Sequence, residues 1–278
     1  MEQLAGKTAV VTGGAGGLGK AMAARFLAEG MSVVIADIEK SALDSATEEL
    51  TAGGGEVLPV VTDVTDLSSV EALAEEAVRR FGSYHVVCNN AGVGGHFGLS
   101  WELPVEEWRW ILDVNIWGVI HGIRTFVPSL VAQKEGHVVN TASLAGWQGP
   151  PAMAAYSASK HAVLAISESL RTELELSGTG VGVSALCPGM VNSGIMSSER
   201  NWPARLGDMP EVNSTPLTTA IENLLRTGTT QGEVDPPAVA DVVVEGIKAN
   251  RFILSTHPAQ VVDAGRSRLT LAEAIPTD

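Results

Sequence analysis

Two groups of residues in this chain are spaced for chemistry. The first is Tyr156 and Lys160, in the run Tyr156-Ser157-Ala158-Ser159-Lys160. Residues four apart share a helix face, so on a helix the phenol and the ammonium are neighbours. A free tyrosine ionises near pH ~10, and a nearby cation favours the phenolate, bringing it toward the range where proton transfer is efficient. Such a pair alone is common on exposed helices, so the rest of the chain must decide. The second group is Thr12-Gly13-Gly14-Ala15-Gly16-Gly17-Leu18-Gly19. Glycines there permit a tight turn and close approach of backbone N–H groups to a pyrophosphate, and a helix start adds partial positive charge. Two registers fit: Gly14, Gly16 and Gly19 as GxGxxG, or Thr12, Gly13, Gly17 and Gly19 as TGxxxGxG.

These groups need a scaffold. Short β-branched runs appear at Thr8–Val11, Val33–Ala36, Val57–Val61, His85–Cys88 and His137–Thr141. Helically spaced stretches lie between them, at Leu18–Glu29, Ser41–Leu50, Leu67–Phe81 and Val105–Leu130. The second half adds a helix at Ala152–Leu176, a strand at Val181–Leu186, a helix at Ala238–Ala249 behind Pro236-Pro237, and a strand at Phe252–Ser255. Alternation of this kind predicts an α/β fold, a doubly wound parallel sheet of Rossmann type with helices on both faces. The strands are nearly continuous apolar runs, as strands covered on both faces should be. Between Pro188 and Asp235 the pattern breaks, and only Leu217–Leu225 reads as helical. Long irregular insertions in compact domains are either functional or disordered. We therefore expect residues 1–278 to form one domain, with 189–235 as a substrate-binding lid inserted in it.

The glycine run sits between a strand and a helix, the context that phosphate binding requires. Asp37 closes the second strand, near the ~20-residue offset at which a carboxylate accepts hydrogen bonds from a cofactor ribose. It would repel the extra phosphate of NADP. Ile38 offers no charge and Lys40 is the nearest base, so NAD is the expected cofactor.

Further residues complete the pattern. Asp63-Val64, Asn89-Asn90-Ala91-Gly92, Asn115, Ser143 and Pro188-Gly189 stand in order around those named above. With them the chain resembles the short-chain dehydrogenase/reductase family, in its classical NAD(P)-dependent branch, from Gly6 to about Pro258. The resemblance selects the TGxxxGxG register and implies about seven strands in the order 3-2-1-4-5-6-7. It implies interconversion of an alcohol and a carbonyl. Tyr156 would be the acid/base, and Lys160 would lower its pKa and hold the nicotinamide ribose. Ser143 would hydrogen-bond the substrate oxygen, and Asn115 would anchor a water linking Lys160 to solvent. It also implies a cofactor set of Gly13, Gly17, Leu18, Gly19, Asp37, Asp63, Val64, Asn90, Ala91, Gly92, Tyr156, Lys160, Pro188, Gly189, Val191 and Ser193. Ser193 replaces the threonine common in the family, keeping the hydroxyl and losing a methyl.

On the substrate side, the resemblance points to the segment after Gly189 and to the loop after Ser143. The expected contacts are Ser143, Trp147, Gln148, Tyr156, Met190, Ile195 and Met196. His96, Trp101, Trp202, Leu206 and Met209 extend that wall, with Arg200 and Arg205 in reserve for a charged group. Such a wall suits an apolar secondary alcohol or ketone of terpene, steroid or lipid type. Two other readings stand beside this one: an NADPH-dependent ketoreductase, and a non-catalytic protein that senses NAD. Retention of Asn115, Ser143, Tyr156 and Lys160 together speaks against the sensor.

Composition narrows the field. Of 278 residues 45% are apolar, enough for a large core, and the formal charge is −14. An acidic surface repels nucleic-acid phosphates and anionic headgroups, so neither partner is expected. No apolar stretch approaches the ~18 residues of a membrane span. Cys88 and Cys187 form no CxxC, and the six histidines form no HxH or HxxxH pair, so no disulfide framework and no metal are expected. The opening residues, Met1 to Val11, show no basic region followed by a long apolar run, and a cytoplasmic location is the default expectation. The family resemblance implies a homotetramer built on Val105–Leu130 and Ala152–Leu176, whose small residues allow close helix approach. The tail after His257 is amphipathic in part and is a candidate to cross a neighbouring subunit.

Overall fold

The β-branched runs form seven strands: β1 (Thr8–Thr12), β2 (Ser32–Asp37), β3 (Val57–Val61), β4 (Val86–Asn89), β5 (Gly136–Thr141), β6 (Val181–Leu186) and β7 (Ile253–Leu254). They pair in parallel, in the order β3-β2-β1-β4-β5-β6-β7 that the motifs imply. This computed structural model describes residues 1–230 and 234–274. The helices between the strands are α1 (Gly17–Ala28), α2 (Lys40–Thr51), α3 (Leu67–Phe81), α4 (Val105–Leu112), α5 (Gly118–Gln133) and α6 (Ala154–Leu176). After β6 come α7 (Pro216–Thr230), α8 (Pro236–Lys248) and α9 (Pro258–Glu273).

Helices cover both faces, which is why strands β1, β4 and β5 are buried throughout. On one face Met22 and Phe26 of α1, Leu43 of α2 and Val243 and Ile247 of α8 meet Val11, Val33 and Ile35. On the other, Leu73 of α3, Phe126 of α5 and Leu170 of α6 meet Val10, Val34 and Val138. Burying one such side chain stabilises by roughly 1.5–3 kcal/mol, so the two layers fix the sheet firmly. Every parallel strand then ends on the same edge, and a crevice opens where the chain reverses its direction of travel, between β1 and β4.

Two expected elements differ. The segment Val105–Leu130 is not one helix: Asp113–Trp117 forms a π turn between α4 and α5. Such turns lengthen the hydrogen-bond ladder by a residue and redirect the side chains they carry. The helix in the insertion is longer than Leu217–Leu225, running Pro216–Thr230, because Thr215 and Thr218 bond reciprocally at its start. The tail after His257 forms α9, which packs on the turn that follows Ser143. A parallel bridge between Val191 and Val234 closes the base of the insertion.

Candidate active site

The glycine run leaves β1 and enters α1 with Gly16 as N-cap and no side chain capping the helix. The N–H groups of that first turn are thus available to an anion. Two glycines are required by contact. A Cβ on Gly19 would lie 1.9 Å from the Gly13 carbonyl oxygen. Gly17 has φ +48°, and its Cβ would lie 2.3 Å from the carbonyl oxygen of Ser193. The turn is held by Gly14 N–H donating to Ala36 O and Ala15 N–H donating to the Asp37 carboxylate at 3.1 Å. Asp37 also accepts from Glu39 N–H at 3.2 Å. Its carboxylate thus shapes the turn while lining the cavity beside it.

Thr12 ties the turn to the next strand. Its hydroxyl donates to Cys88 O and accepts from the N–H groups of Asn90 and Ala91, at 2.9 and 3.1 Å. Asn90 is fixed from two sides, its amide donating to Thr12 O and its oxygen accepting from the Thr141 hydroxyl. A shape-filled cradle, an uncapped helix start and a carboxylate at the end of β2 fit a dinucleotide with a free ribose.

Asn115 lies in the π turn, fully enclosed. Its oxygen accepts from Val93 N–H at 2.8 Å, and its amide donates to Val93 O and to Ser159 Oγ, both at 3.0 Å. The Ser159 hydroxyl donates in turn to Tyr156 O at 2.6 Å. Asn115 therefore fastens the Val93 loop to the second turn of α6. Lys160 is buried, and its Nζ donates to Thr141 O at 2.8 Å. Burial lowers its pKa to about 8. The ammonium is 5.6 Å from the centre of the Tyr156 ring. Ser143 caps a 3-10 turn, Leu144–Gly146, its Oγ accepting from Ala145 N–H.

Burial pushes the Tyr156 phenol up, and a hydrogen bond with Ser143 pulls the other way by favouring the ionised form.

One cavity of about 380 Å³ joins these groups. Gly13, Leu18, Asp37, Asp63, Val64, Asn90, Ala91, Gly92, Ser143, Tyr156, Lys160, Pro188, Gly189, Val191 and Ser193 line it. So do Gln148, Met190, Ile195 and Met196 from the expected substrate set. Gly17 and Gly19 stand behind the lining as packing positions.

Trp147 does not reach the cavity. Its indole turns inward, donating to Cys187 Sγ at 3.4 Å and packing beside Val261 of α9. Several members of the expected wall also lie elsewhere. His96 pairs with Glu107, Trp202 packs edge-on against Trp110 at 5.2 Å, and Arg205 pairs with Asp113. Trp101 and Met209 are exposed, and Leu206 packs beside Trp110. Lys40 is engaged by Asp44 on the helix surface. The base at the Asp37 end is instead Arg200, whose Nε donates to Glu39 at 2.8 Å while Asn201 reaches the same carboxylate.

Sequence reasoning missed three residues. Glu107 is a fully buried carboxylate, and its place three and four residues before Trp110 and Ile111, on an apolar face, was a readable sign. Glu39 pins the insertion across the cofactor end. Gln260 lines the cavity from α9, a helix that Pro258 announced. Among the described residues no three His, Cys, Asp or Glu side chains gather as a metal site, and no helix is long and apolar enough to cross a membrane.

Comparison with known proteins agrees with this geometry. The model of the short chain dehydrogenase family matches residues 7–204, and the chain belongs to that family of oxidoreductases. Among its relatives is a 1-deoxy-11-beta-hydroxypentalenate dehydrogenase of Streptomyces avermitilis, 39% identical over 90% of this chain and 84% of the relative. A 2-dehydro-3-deoxy-L-rhamnonate dehydrogenase (NAD(+)) of a Sphingomonas strain is 38% identical over 69% of this chain and 75% of that one. A crystal structure of a short chain dehydrogenase/reductase from Burkholderia phymatum, in complex with NAD, superposes with a TM-score of 0.93 at 40% identity, covering 100% and 99% of the two chains.

Proposed function

We propose that this chain oxidises a bulky, largely apolar secondary alcohol to its ketone with NAD, and runs the reverse reaction when the cofactor is reduced. The observation that carries the proposal is the single cavity shared by Tyr156, Ser143, Lys160, the glycine turn and Asp37. Bound NAD supplies the hydride acceptor; the protein supplies orientation and proton transfer. Tyr156 takes the hydroxyl proton, or returns it in reduction. Ser143 Oγ hydrogen-bonds the substrate oxygen and favours the ionised phenol. Lys160 holds the ribose hydroxyls and offers positive charge beneath the phenolate. Asn115 keeps the Val93 loop and the start of α6 in register with the tyrosine. Asp37 accepts from the adenosine ribose and disfavours a phosphate in its place, which supports NAD over NADP.

The apolar character of the substrate is supported by Phe97, Trp110, Met153 and Ile195 in the lining. It is also supported by the pentalenate relative, a dehydrogenase of a terpenoid-type alcohol by its name. The rhamnonate relative acts on a sugar acid by its name, a chemistry that this wall suits poorly. Of the lid expected at 189–235, residues 231–233 lie outside the described residues; the rest serves as the lid, held over the cofactor end where Arg200 and Asn201 bond Glu39.

The test is turnover of NAD with a panel of cyclic secondary alcohols, beside Tyr156→Phe. Removing the acid/base should lower kcat by roughly 10²–10⁴-fold while NAD binding persists. Unchanged turnover in the variant would overturn the assignment, and equal affinity for NADP would remove Asp37 from its role.

A further inference from the structure

Ser143 is placed by a turn with little to hold it from within. The 3-10 turn Leu144–Gly146 has two backbone bonds, Gly146 N–H to Ser143 O and Trp147 N–H to Leu144 O, and the Ser143 cap on Ala145 N–H. A helical segment this short keeps its geometry through what it packs against. Its two ends land on neighbouring residues of the chain that leaves β6. At one end Leu144 N–H donates to Pro188 O at 2.9 Å. At the other the Trp147 indole Nε1–H donates to Cys187 Sγ at 3.4 Å. Between them Gly146 presses on α6, where a Cβ would lie 2.8 Å from Lys160 O. The turn is wedged between the end of β6 and the helix that carries Tyr156 and Lys160.

The Cys187 side of this wedge is firm. The thiol is wholly buried, and the Cys187 N–H donates to Leu254 O of β7 at 2.7 Å. Burial pushes the thiol pKa up, against weaker pulls from the Trp147 indole, the Lys160 charge and the Ser143 N–H. The sulfur therefore stays a neutral acceptor among those three groups. Trp147 is braced from behind. It shares a small core with Cys187, Val163 of α6 and Val261 of α9, and a Cβ at Gly265 of α9 would be 3.9 Å from its ring.

We propose that Trp147 and Cys187 are positioning residues for the reaction: their N–H to sulfur contact fixes the far end of the turn, and so keeps the Ser143 hydroxyl aimed at the substrate oxygen. The inference rests on the oxidoreductase reading above and extends its machinery to two residues that touch neither substrate nor cofactor. The indole has a single hydrogen to donate, so the contact also holds the ring in its inward rotamer, against α9 and out of the cavity. A catalytic group displaced by about 1 Å through a distant change can cost up to ~10²-fold in rate, so a small slackening of this turn is felt at the chemistry.

The experiment is a cycle between Trp147→Phe and Ser143→Ala, read as steady-state turnover of NAD with a cyclic secondary alcohol. Trp147→Phe keeps an aromatic ring in the core and removes the donor. It should lower kcat roughly three- to tenfold, the worth of one net hydrogen bond, while calorimetry finds NAD affinity unchanged. In the Ser143→Ala background the same substitution should change kcat by less than about twofold, because the group it positions is gone. Cys187→Ala removes the acceptor and should reproduce the loss, and Cys187→Ser restores an acceptor and should recover most of it. Should Trp147→Phe fail to fold, the two Cys187 variants carry the same comparison in both backgrounds. An equal loss with and without Ser143, or no loss in either Trp147→Phe or Cys187→Ala, overturns the positioning role and leaves the oxidoreductase reading intact. Native turnover in Ser143→Ala itself would remove the assignment of that serine, and the inference with it.

Discussion

At the scale of single residues, Lys160 is buried and Tyr156 is half-buried on the cavity wall, and desolvation moves them in opposite directions. The phenol is pushed up and the ammonium down to about 8. Both groups therefore carry their proton at neutral pH. Oxidation of an alcohol needs the phenolate as base, and its fraction grows as pH rises toward the elevated value. Reduction needs the phenol as acid, and its fraction shrinks over the same range. The initial rate of alcohol oxidation should thus climb steadily from about pH 7 to about pH 10, while the rate of ketone reduction levels off and then falls. Rates followed by nicotinamide absorbance in both directions provide the check. Parallel profiles in the two directions would show that proton transfer at Tyr156 does not limit either one.

At the scale of elements, the pair between His96 and Glu107 fastens the loop after β4 to α4. Glu107 is wholly buried, whereas the imidazole keeps 31% of its side chain exposed. The hydrogen bond and charge of Glu107 raise the His96 pKa, with Glu199 and Glu222 adding a smaller pull in the same direction. A raised folded pKa means that the protonated pair stabilises the fold fully below the 6.5 of a free histidine. That contribution is lost as pH rises through the higher folded value. His96→Ala strands a buried carboxylate and should cost about 2–3 kcal/mol at pH 6, allowing for water at the half-open imidazole. Glu107→Gln should cost less, since it leaves no buried charge. Thermal melts at pH 6 and pH 9 decide the matter: the penalty of His96→Ala should shrink at the higher pH, and a penalty independent of pH would assign the pair a packing role alone. This element also shows where sequence reading stops. Strands such as Val33–Ala36 were legible because burial on both faces leaves a continuous apolar run. The glycine turn was legible because contact permits no other residue at Gly17. The His96–Glu107 pair was not, because it joins a loop to a helix across space and neither residue carries a mark of its partner. The inward turn of Trp147 was hidden for the same reason: residues near Ser143 in sequence share its loop, but packing against α9 decides which face the cavity.

At the scale of the whole molecule, the surface must reconcile a formal charge of −14 with several large apolar side chains left in water. Trp117 ends the π turn and is 51% exposed, Val105 opens α4 at 59%, and Leu176 ends α6 at 85%. These lie on the same helices that the family resemblance nominates for assembly. A chain this acidic would be repelled by its own copies unless burial of such a surface outweighs the repulsion, so association should strengthen as salt screens the charge. We expect a homotetramer arranged as a pair of two-fold dimers, the closed symmetry that a self-complementary helix face generates. Sedimentation equilibrium should give four times the chain mass, with the tetramer favoured further at high ionic strength. Trp117→Glu places a like charge on both sides of a two-fold contact and should shift the protein to smaller species, while cofactor binding persists because Trp117 does not line the cavity. A native protein that sediments as a monomer at every salt concentration would remove the assembly and leave the exposed tryptophan to be explained by another partner.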